Sequence, residues 1–153
     1  LQKATANLEL NLKGRIHTMY MKDWILIDDT YNANPSSFKS VLENMKIIYP
    51  KNRKIVVCGK MAELGQKSHK LHQQVGINMV KNGIEIMLGL GDKEIESYIG
   101  GWKKEGGNLK AANHFTDLNE LLDAFKKELK VGDVVLVKGS RSAQMELFIE
   151  NVY

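Results

Sequence analysis

Short runs of β-branched residues alternate with amphipathic helical segments along this chain, and that alternation limits the folds open to it. The runs Lys54–Cys58 and Val134–Val137 are typical of short, buried strands. After Asn34 the apolar residues recur at helical spacing instead, and Pro35 suits the first position of a helix. Strands that alternate with helices form parallel sheets covered by helices. The sequence therefore predicts an α/β, Rossmann-like fold with a mostly parallel sheet flanked by helices.

The predicted domain begins with a β-hairpin. Two extended runs, Gly14–Met21 and Trp24–Asp28, are separated by a tight turn at Lys22-Asp23. Further strands are predicted at Ile84–Leu88 and Ala111–Phe115, and further helices at Gln66–Asn82, at Asp92–Ile99, after Asp117 and from about Ser142. The glycine pairs Gly100-Gly101 and Gly106-Gly107 flank a predicted loop or turn.

The composition fits one globular domain in 153 residues. The net charge of +4 is scattered and aromatic residues make up 7%, so no nucleic-acid partner is expected. No run approaches the roughly 20 apolar residues of a membrane-spanning helix, and the first residues, LQKATANLEL, lack the apolar centre of a signal peptide. The one cysteine, Cys58, fits a reducing compartment. We therefore expect a cytoplasmic protein with no membrane partner.

Polar residues gather where three of the predicted strands end, in the segments Asp28–Pro35, Gly59–Gly65 and Lys138–Arg141. The carboxyl ends of parallel strands are where such sheets bind ligands. A carboxylate in the first segment suits a ribose hydroxyl, although Asp and Asn also occur there simply as helix caps. In the last segment Gly139, Ser140 and Arg141 suit a carboxylate or phosphate, although a basic surface loop capped by Ser140 would look the same.

Other chemistry finds little support. The stretch Gly59…Ser68 is a near miss for the glycine-rich phosphate loop, because its spacing is wrong by one residue. His69 and His72 share a predicted helix with Glu63 upstream, but a solvated helix face explains them better than a metal site. Arg15, taken alone, reads as a surface residue, and Cys58 as an inert core residue. No metal site is predicted.

Five segments occur in a set order: Gly14-Arg15, IDDTYNANPSS (Ile27–Ser37), GKMAELG (Gly59–Gly65), His72 and KGSRSAQME (Lys138–Glu146). In this order they resemble the carboxyl-terminal domain of the Mur ligase family, in the branch that adds D-alanyl-D-alanine. The resemblance runs from about Gly14 to the end of the chain. Lys60 departs from it, since an acidic residue is expected there, and that leaves the role of its loop open.

The resemblance implies an ATP-dependent ligase of peptidoglycan and cell-wall synthesis, and so a role in cell shape and division. Such an enzyme phosphorylates the carboxylate of a UDP-N-acetylmuramoyl-tripeptide, and the amine of D-alanyl-D-alanine then attacks the acyl phosphate. In this family an amino-terminal domain binds the UDP moiety, and a central domain carries the phosphate loop and the Mg²⁺ ligands. The third domain closes over ATP and positions the amine.

The resemblance also implies a role for each site residue. Arg15 is expected at the ATP phosphates. Arg15 and Lys138 are the expected catalytic residues. Asp29 is expected at the ribose, and Tyr31, Asn32 and Asn34 beside the nucleotide. The predicted dipeptide contacts are Lys138, Ser140, Arg141 and His72.

The resemblance implies a division of the chain into residues 1–13, a linker from a missing central ATPase domain, and residues 14–153, the ligase carboxyl-terminal domain. The isolated chain is then expected to be inactive. Two alternatives stay open: a stand-alone, non-catalytic module that binds a nucleotide or anion, and a related ligase that adds an amino acid to another acceptor.

Overall fold

Alternating strands and helices are present in the computed structural model of the chain, which describes residues 16–153. The strands are β1 (His17–Tyr20), β2 (Ile25–Asp29), β3 (Lys54–Cys58), β4 (Ile86–Leu90), β5 (Ala112–Phe115) and β6 (Val134–Lys138). The helices are α1 (Pro35–Ile48), α2 (Ser68–Lys81), α3 (Lys93–Lys104), α4 (Leu118–Glu128) and α5 (Glu146–Val152). Short 3₁₀ turns occupy Gly65–Lys67, Leu109–Ala111 and Arg141–Ala143.

The strands form one sheet in the order β1-β2-β6-β3-β4-β5. Strand β1 pairs antiparallel with β2, and the other pairings are parallel. The register sets Asp29 of β2 and Cys58 of β3 on either side of Lys138 of β6. The predicted fold class and amino-terminal hairpin are therefore confirmed, and three polar loops leave the sheet at one edge.

Both faces of the sheet are buried, which explains why its parallel strands read as continuous apolar runs. On one face the strands pack against helices α1, α2 and α3, with Phe38, Met79 and Trp102 among the buried side chains. On the other face α4 and α5 cover the sheet through Phe125 and Phe148. Lys138 is fully buried at the end of its strand, among the largest enclosed side chains.

Helix α1 begins where the sequence predicts, because Asn34 and Ser37 form a reciprocal capping box and Pro35 takes the first helical position. The predicted bounds of β3 are also confirmed. Strand β4, in contrast, begins at Ile86 rather than Ile84, because pairing with β3 starts at the register Ile55–Ile86.

The loop predicted between the two glycine pairs is shorter than expected, because α3 continues past Ile99 and through Gly100 and Gly101 to Lys104. A Cβ atom on Gly101 would overlap the carbonyl oxygen of Gln73 in α2, and one on Gly76 would overlap that of Tyr98 in α3. These glycines therefore allow two helix backbones to approach closely, which outweighs their low helix propensity.

The last helix also differs from its prediction, because α5 begins at Glu146 and not near Ser142. Residues Arg141–Ala143 form a 3₁₀ turn, and Gln144 adopts a left-handed backbone with φ 54° that separates this turn from α5. Ser140 makes no side-chain capping bond. The helix start predicted near Ser142 is therefore absent from that loop.

Two predictions concern the ends and the membrane. Within residues 16–153, no helix is both long and apolar enough to cross a bilayer. The predicted linker at residues 1–13 and the residue Arg15 lie outside the described part of the chain.

Candidate functional site

The candidate site lies at the carboxyl ends of β2, β6 and β3, which are neighbours in the sheet. The loops that leave these strands are Asp28–Pro35, Lys138–Arg141 and Gly59–Gly65. Because the strands are parallel and adjacent, three segments distant in sequence meet at one edge, as the sequence predicts.

A buried ion pair joins the first two loops. Nζ of Lys138 lies 2.6 Å from Oδ2 of Asp29, its register neighbour on β2, and donates to the carbonyl oxygen of Asn32 at 3.0 Å. The same ammonium lies 5.3 Å from the centre of the Phe38 ring. The Lys138 side chain is 0% exposed and that of Asp29 is 9% exposed. Lys138 thus holds the Asp29–Asn32 segment against β6.

Burial shifts the titration of both partners. Loss of hydration raises the pKa of the Asp29 carboxyl, and the attraction of Lys138 opposes this shift. Loss of hydration likewise lowers the pKa of the Lys138 ammonium, and the attraction of Asp29 opposes it. Each partner therefore limits the effect of burial on the other, and removing one leaves the other buried without compensation.

The loop after β2 is ordered by its own polar side chains. Oδ1 of Asp28 accepts hydrogen bonds from the backbone N–H and the hydroxyl of Thr30. Oδ1 of Asn32 accepts from the Ala33 N–H at 2.8 Å, and Asn34 caps α1. These residues can therefore order the loop and still contact a ligand. Asn32 is exposed, although its carbonyl oxygen accepts from Lys138.

An open cavity of about 500 Å³ lies between the loops that follow β2 and β6. The guanidinium of Arg141 lies 4.8 Å from the centre of the Tyr31 ring, at cation–π distance. Charges of both signs line the cavity, whose residues are Asp28, Thr30, Tyr31, Arg141, Gln144 and Glu146. Its volume lies within the ordinary range for small-molecule sites.

The third loop is bonded directly to the loop after β6. The Gly59 N–H donates to the carbonyl of Lys138 at 2.9 Å, and the Ser140 N–H donates to the carbonyl of Lys60 at 2.8 Å. A Cβ atom on Gly139 would lie 3.2 Å from Cα of Gly59. Glycine at position 139 therefore allows the two backbones to approach closely, and a Cβ on Gly59 would overlap the side chain of Ala143.

His72 does not reach this surface, because its ring is fully buried. Its Nε2 accepts from the Met61 N–H at 3.0 Å, and its Nδ1 lies 2.7 Å from the carbonyl of Ser68. The ring packs against Tyr98, whose hydroxyl donates to the carbonyl of Gly59 at 2.9 Å. His72 thus contacts the back of the third loop.

The structure brings Asp29, Asn32 and Lys138 together and sets Tyr31 against Arg141. Ser140 is buried, and its Oγ lies 2.9 Å from that of Ser142. Tyr98, Gln144 and Glu146 were missed from the sequence. Tyr98 sits among apolar residues in a helical pattern and looks like core, so only the fold reveals its hydroxyl at Gly59.

The described residues contain no cluster of side chains suited to binding a metal ion. Within 16–153, no three His, Cys, Asp or Glu side chains are grouped as ligands. The residues there do not fit a Mg²⁺ site. Cys58 is buried, and burial raises the pKa of its thiol, which leaves it unreactive.

Comparison with known proteins adds a family. The model described as "Mur ligase, glutamate ligase domain" matches residues 14–141. The UDP-N-acetylmuramoyl-tripeptide–D-alanyl-D-alanine ligase of Buchnera aphidicola is 39% identical over 132 residues, which cover 84% of this chain and 26% of that protein. The Escherichia coli ligase of the same name is 31% identical over 153 residues, covering 95% of this chain and 30% of that protein.

Solved structures agree with the sequence comparison. The MurF ligase of Thermotoga maritima, in complex with ADP, superposes with a TM-score of 0.74 and 28% identity, covering 90% of this chain and 30% of that chain. MurF from Acinetobacter baumannii gives a TM-score of 0.75 at 23% identity and supports the fold alone. This chain therefore spans less than a third of the length of each of these relatives.

Proposed function

This chain belongs to the Mur ligase family, and from that premise we propose that it is the carboxyl-terminal domain of a longer, ATP-dependent ligase. The proposed reaction joins D-alanyl-D-alanine to a UDP-N-acetylmuramoyl-tripeptide in peptidoglycan synthesis, in the cytoplasm. The names of the Buchnera and E. coli relatives support it, as does the match over most of this chain. The proposed division is a linker at residues 1–13 and the domain at 14–153.

The chemistry requires two positions to be held close together. A carboxylate becomes reactive when ATP phosphorylates it, releasing ADP and leaving an acyl phosphate. The neutral amine of the dipeptide then attacks the acyl carbon, and phosphate leaves from the tetrahedral intermediate. A domain that contacts both the nucleotide and the dipeptide shortens the search between these partners by fixing their orientation.

We assign the nucleotide to the loop after β2. Asp29, Tyr31, Asn32 and Asn34 are proposed as its contacts, and Arg15 is proposed at the phosphates. What supports Asp29 and Asn32 is rigidity: Lys138 fixes the carboxylate of one and the carbonyl of the other. Open α/β sheets bind ligands at the carboxyl ends of their strands, and an acidic residue there can hold a ribose hydroxyl.

We assign the carboxylate of the dipeptide to the loop after β6. The observation that carries this assignment is the guanidinium of Arg141, which lines the 500 Å³ cavity and is stacked on Tyr31. A planar guanidinium pairs with a carboxylate through two parallel hydrogen bonds. Ser140 and Lys138 are proposed to support this loop from beneath, because both are buried.

Mg²⁺ and the phosphate loop are assigned to the central domain of the same polypeptide, because the described residues here hold no suitable ligand cluster. The amino-terminal domain is the proposed partner for the UDP moiety. On this proposal the isolated 153-residue chain folds but does not turn over.

The proposal is tested in the full-length ligase by phosphate release with ATP, the nucleotide tripeptide and D-alanyl-D-alanine. Arg141→Ala should raise the KM for the dipeptide by about 10- to 150-fold, the cost of a lost charge-assisted pair, and change the KM for ATP far less. Arg141→Lys should rescue only partly, because an ammonium lacks the planar fork.

A dipeptide amide provides the matched control. It lacks the terminal carboxylate, so it should be a poor substrate for the parent enzyme and scarcely worse for Arg141→Ala. Equal effects of Arg141→Ala on ATP and dipeptide would move this loop to the phosphates and contradict the assignment. Turnover by the isolated chain would overturn the division into domains.

A further inference from the structure

The buried imidazole of His72 sits between helix α2 and the Gly59–Gly65 loop. The Ser68 carbonyl can only accept, so Nδ1 carries the proton and donates to it at 2.7 Å. The Met61 N–H can only donate, so Nε2 is unprotonated and accepts from it at 3.0 Å. The two backbone contacts therefore fix one neutral tautomer, and the Ser68 hydroxyl lies 3.2 Å from the same Nδ1.

Two side chains form hydrogen bonds with the Gly59–Gly65 loop from the same side. His72 holds the N–H of Met61, and the hydroxyl of Tyr98 holds the carbonyl of Gly59. Their rings pack against each other with centres 4.8 Å apart. Helices α2 and α3, which carry them, approach closely through Gly76 and Gly101. Residues Gly59–Met61 are thus held by hydrogen bonds from two closely packed helices.

The Gly59–Met61 segment continues into the site. Between Gly59 and Met61 lies Lys60, whose carbonyl accepts from the N–H of Ser140. Gly59 also donates to the carbonyl of Lys138. A continuous path of hydrogen bonds thus leads from His72, through Gly59–Met61, to the backbone just before Arg141.

We propose that His72 is a positioning residue, which fixes the Gly59–Met61 backbone and through it the Lys138–Arg141 loop that presents Arg141 to substrate. This inference rests on the proposed function for its effect on substrate, but not for its effect on the loop. His72 acts through the backbone and makes no contact with ligand itself.

Two substitutions separate the two nitrogens. In His72→Gln the side-chain amide reaches the place of Nε2 and can still accept from Met61. In His72→Asn it reaches the place of Nδ1, can still donate to Ser68, and leaves the Met61 N–H without its acceptor. Each variant keeps one of the two imidazole hydrogen bonds and loses the other, and only His72→Asn leaves the Met61 N–H unpaired. His69→Gln, on the exposed side of α2, is the control for a histidine lost from this helix.

The first measurement is NMR of the 153-residue chain. The nitrogen shifts of His72 should report Nδ1 as protonated and Nε2 as unprotonated. In His72→Asn the backbone amide signals of Met61 and Ser140 should both move and exchange faster with solvent, whereas in His72→Gln and His69→Gln Ser140 should stay near its original position. An unmoved Ser140 amide in His72→Asn would overturn the inference, whatever the ligase does.

The second measurement is kinetic, in the full-length ligase. His72→Asn should raise the KM for D-alanyl-D-alanine about tenfold, as expected for a lost buried hydrogen bond, with a much smaller change in kcat and in the KM for ATP. His72→Gln should restore most of the dipeptide KM. Equal losses in both variants would reduce His72 to a structural residue.

The two failures are distinguishable. If Arg141→Ala leaves the dipeptide KM unchanged, the proposed function of the loop fails, while the Ser140 amide still reports on His72. If Arg141→Ala behaves as proposed and His72→Asn does not, the positioning role fails alone.

Discussion

The ammonium of Lys138 lies 2.6 Å from a carboxylate oxygen of Asp29, although 109 residues separate the two in sequence. They are register neighbours on adjacent parallel strands, and both side chains are buried. Because the pair also fixes the carbonyl of Asn32, it joins the loop assigned to the nucleotide to the loop assigned to the dipeptide.

Breaking this pair on one side should destabilise the fold. Lys138→Met leaves the Asp29 carboxylate buried without its partner, and we expect a loss of about 3 kcal/mol in the free energy of unfolding. Adding Asp29→Asn should recover a large part of that loss, because the uncompensated charge is then gone. Urea denaturation of the chain at neutral pH measures both.

The matched control is Asp28→Asn, the same chemical change one residue earlier. In this loop Oδ1 of Asp28 accepts from the backbone N–H and the hydroxyl of Thr30, and an amide oxygen can take over that role. We expect Asp28→Asn to lower the free energy of unfolding by less than about 1 kcal/mol. Additive losses in the Lys138→Met, Asp29→Asn double variant would show that the two charges do not depend on each other.

The stacking of Arg141 on Tyr31 separates two assignments for Tyr31. If the ring orients Arg141, Tyr31→Ala should raise the dipeptide KM of the full-length ligase about two- to fivefold, the worth of an exposed cation–π contact. Tyr31→Phe, which keeps the ring, should stay close to the parent enzyme. A larger rise in the KM for ATP than for the dipeptide would instead support the nucleotide contact that we propose for Tyr31.

The site could be predicted from sequence as three loops but not as a connected unit. Asp28–Pro35 and Lys138–Arg141 stand out because polar residues follow buried strands. The sheet order β2-β6-β3 is not written in any local pattern, and it alone makes Asp29 and Lys138 neighbours. Tyr98 lies in an apolar helical pattern and is 39 positions from Gly59, so the sequence does not predict the hydrogen bond between them.

Helices α3 and α5 differ from their predicted bounds for two separate reasons. Gly100-Gly101 looks like a loop because glycine weakens helices, and only the neighbouring helix α2 gives Gly101 a reason to be there. The late start of α5 follows from the left-handed backbone of Gln144, a residue type that gives little warning of it.

The two glycines of α3 predict opposite outcomes for one substitution. Gly101→Ala should cost more than about 2 kcal/mol of stability, because its Cβ would overlap the Gln73 carbonyl and the backbones would have to separate. Gly100→Ala should be neutral or stabilising by up to about 1 kcal/mol, since its Cβ meets only the end of the Gln73 side chain at 3.4 Å and alanine favours helix. Thermal or urea unfolding of the two variants tests this, and similar effects at both positions would contradict the close helix contact.

The last prediction concerns pH and His72. Burial lowers the pKa of this imidazole below its ordinary 6.5; the Ser68 carbonyl and Glu94 of α3 oppose the shift, while His69 and Lys60 add to it. Below pH 6.5 the unfolded chain therefore binds more protons at this position than the folded chain does. The stabilisation is fully present above pH 6.5 and is lost as the pH falls through the folded pKa, with a limiting slope of about 1.4 kcal/mol per pH unit. Urea unfolding at a series of pH values should show a steeper acid loss for the parent chain than for His72→Gln, which cannot take up that proton. Identical slopes for the parent chain and His72→Gln would mean that His72 is protonated in the folded state as readily as in the unfolded one.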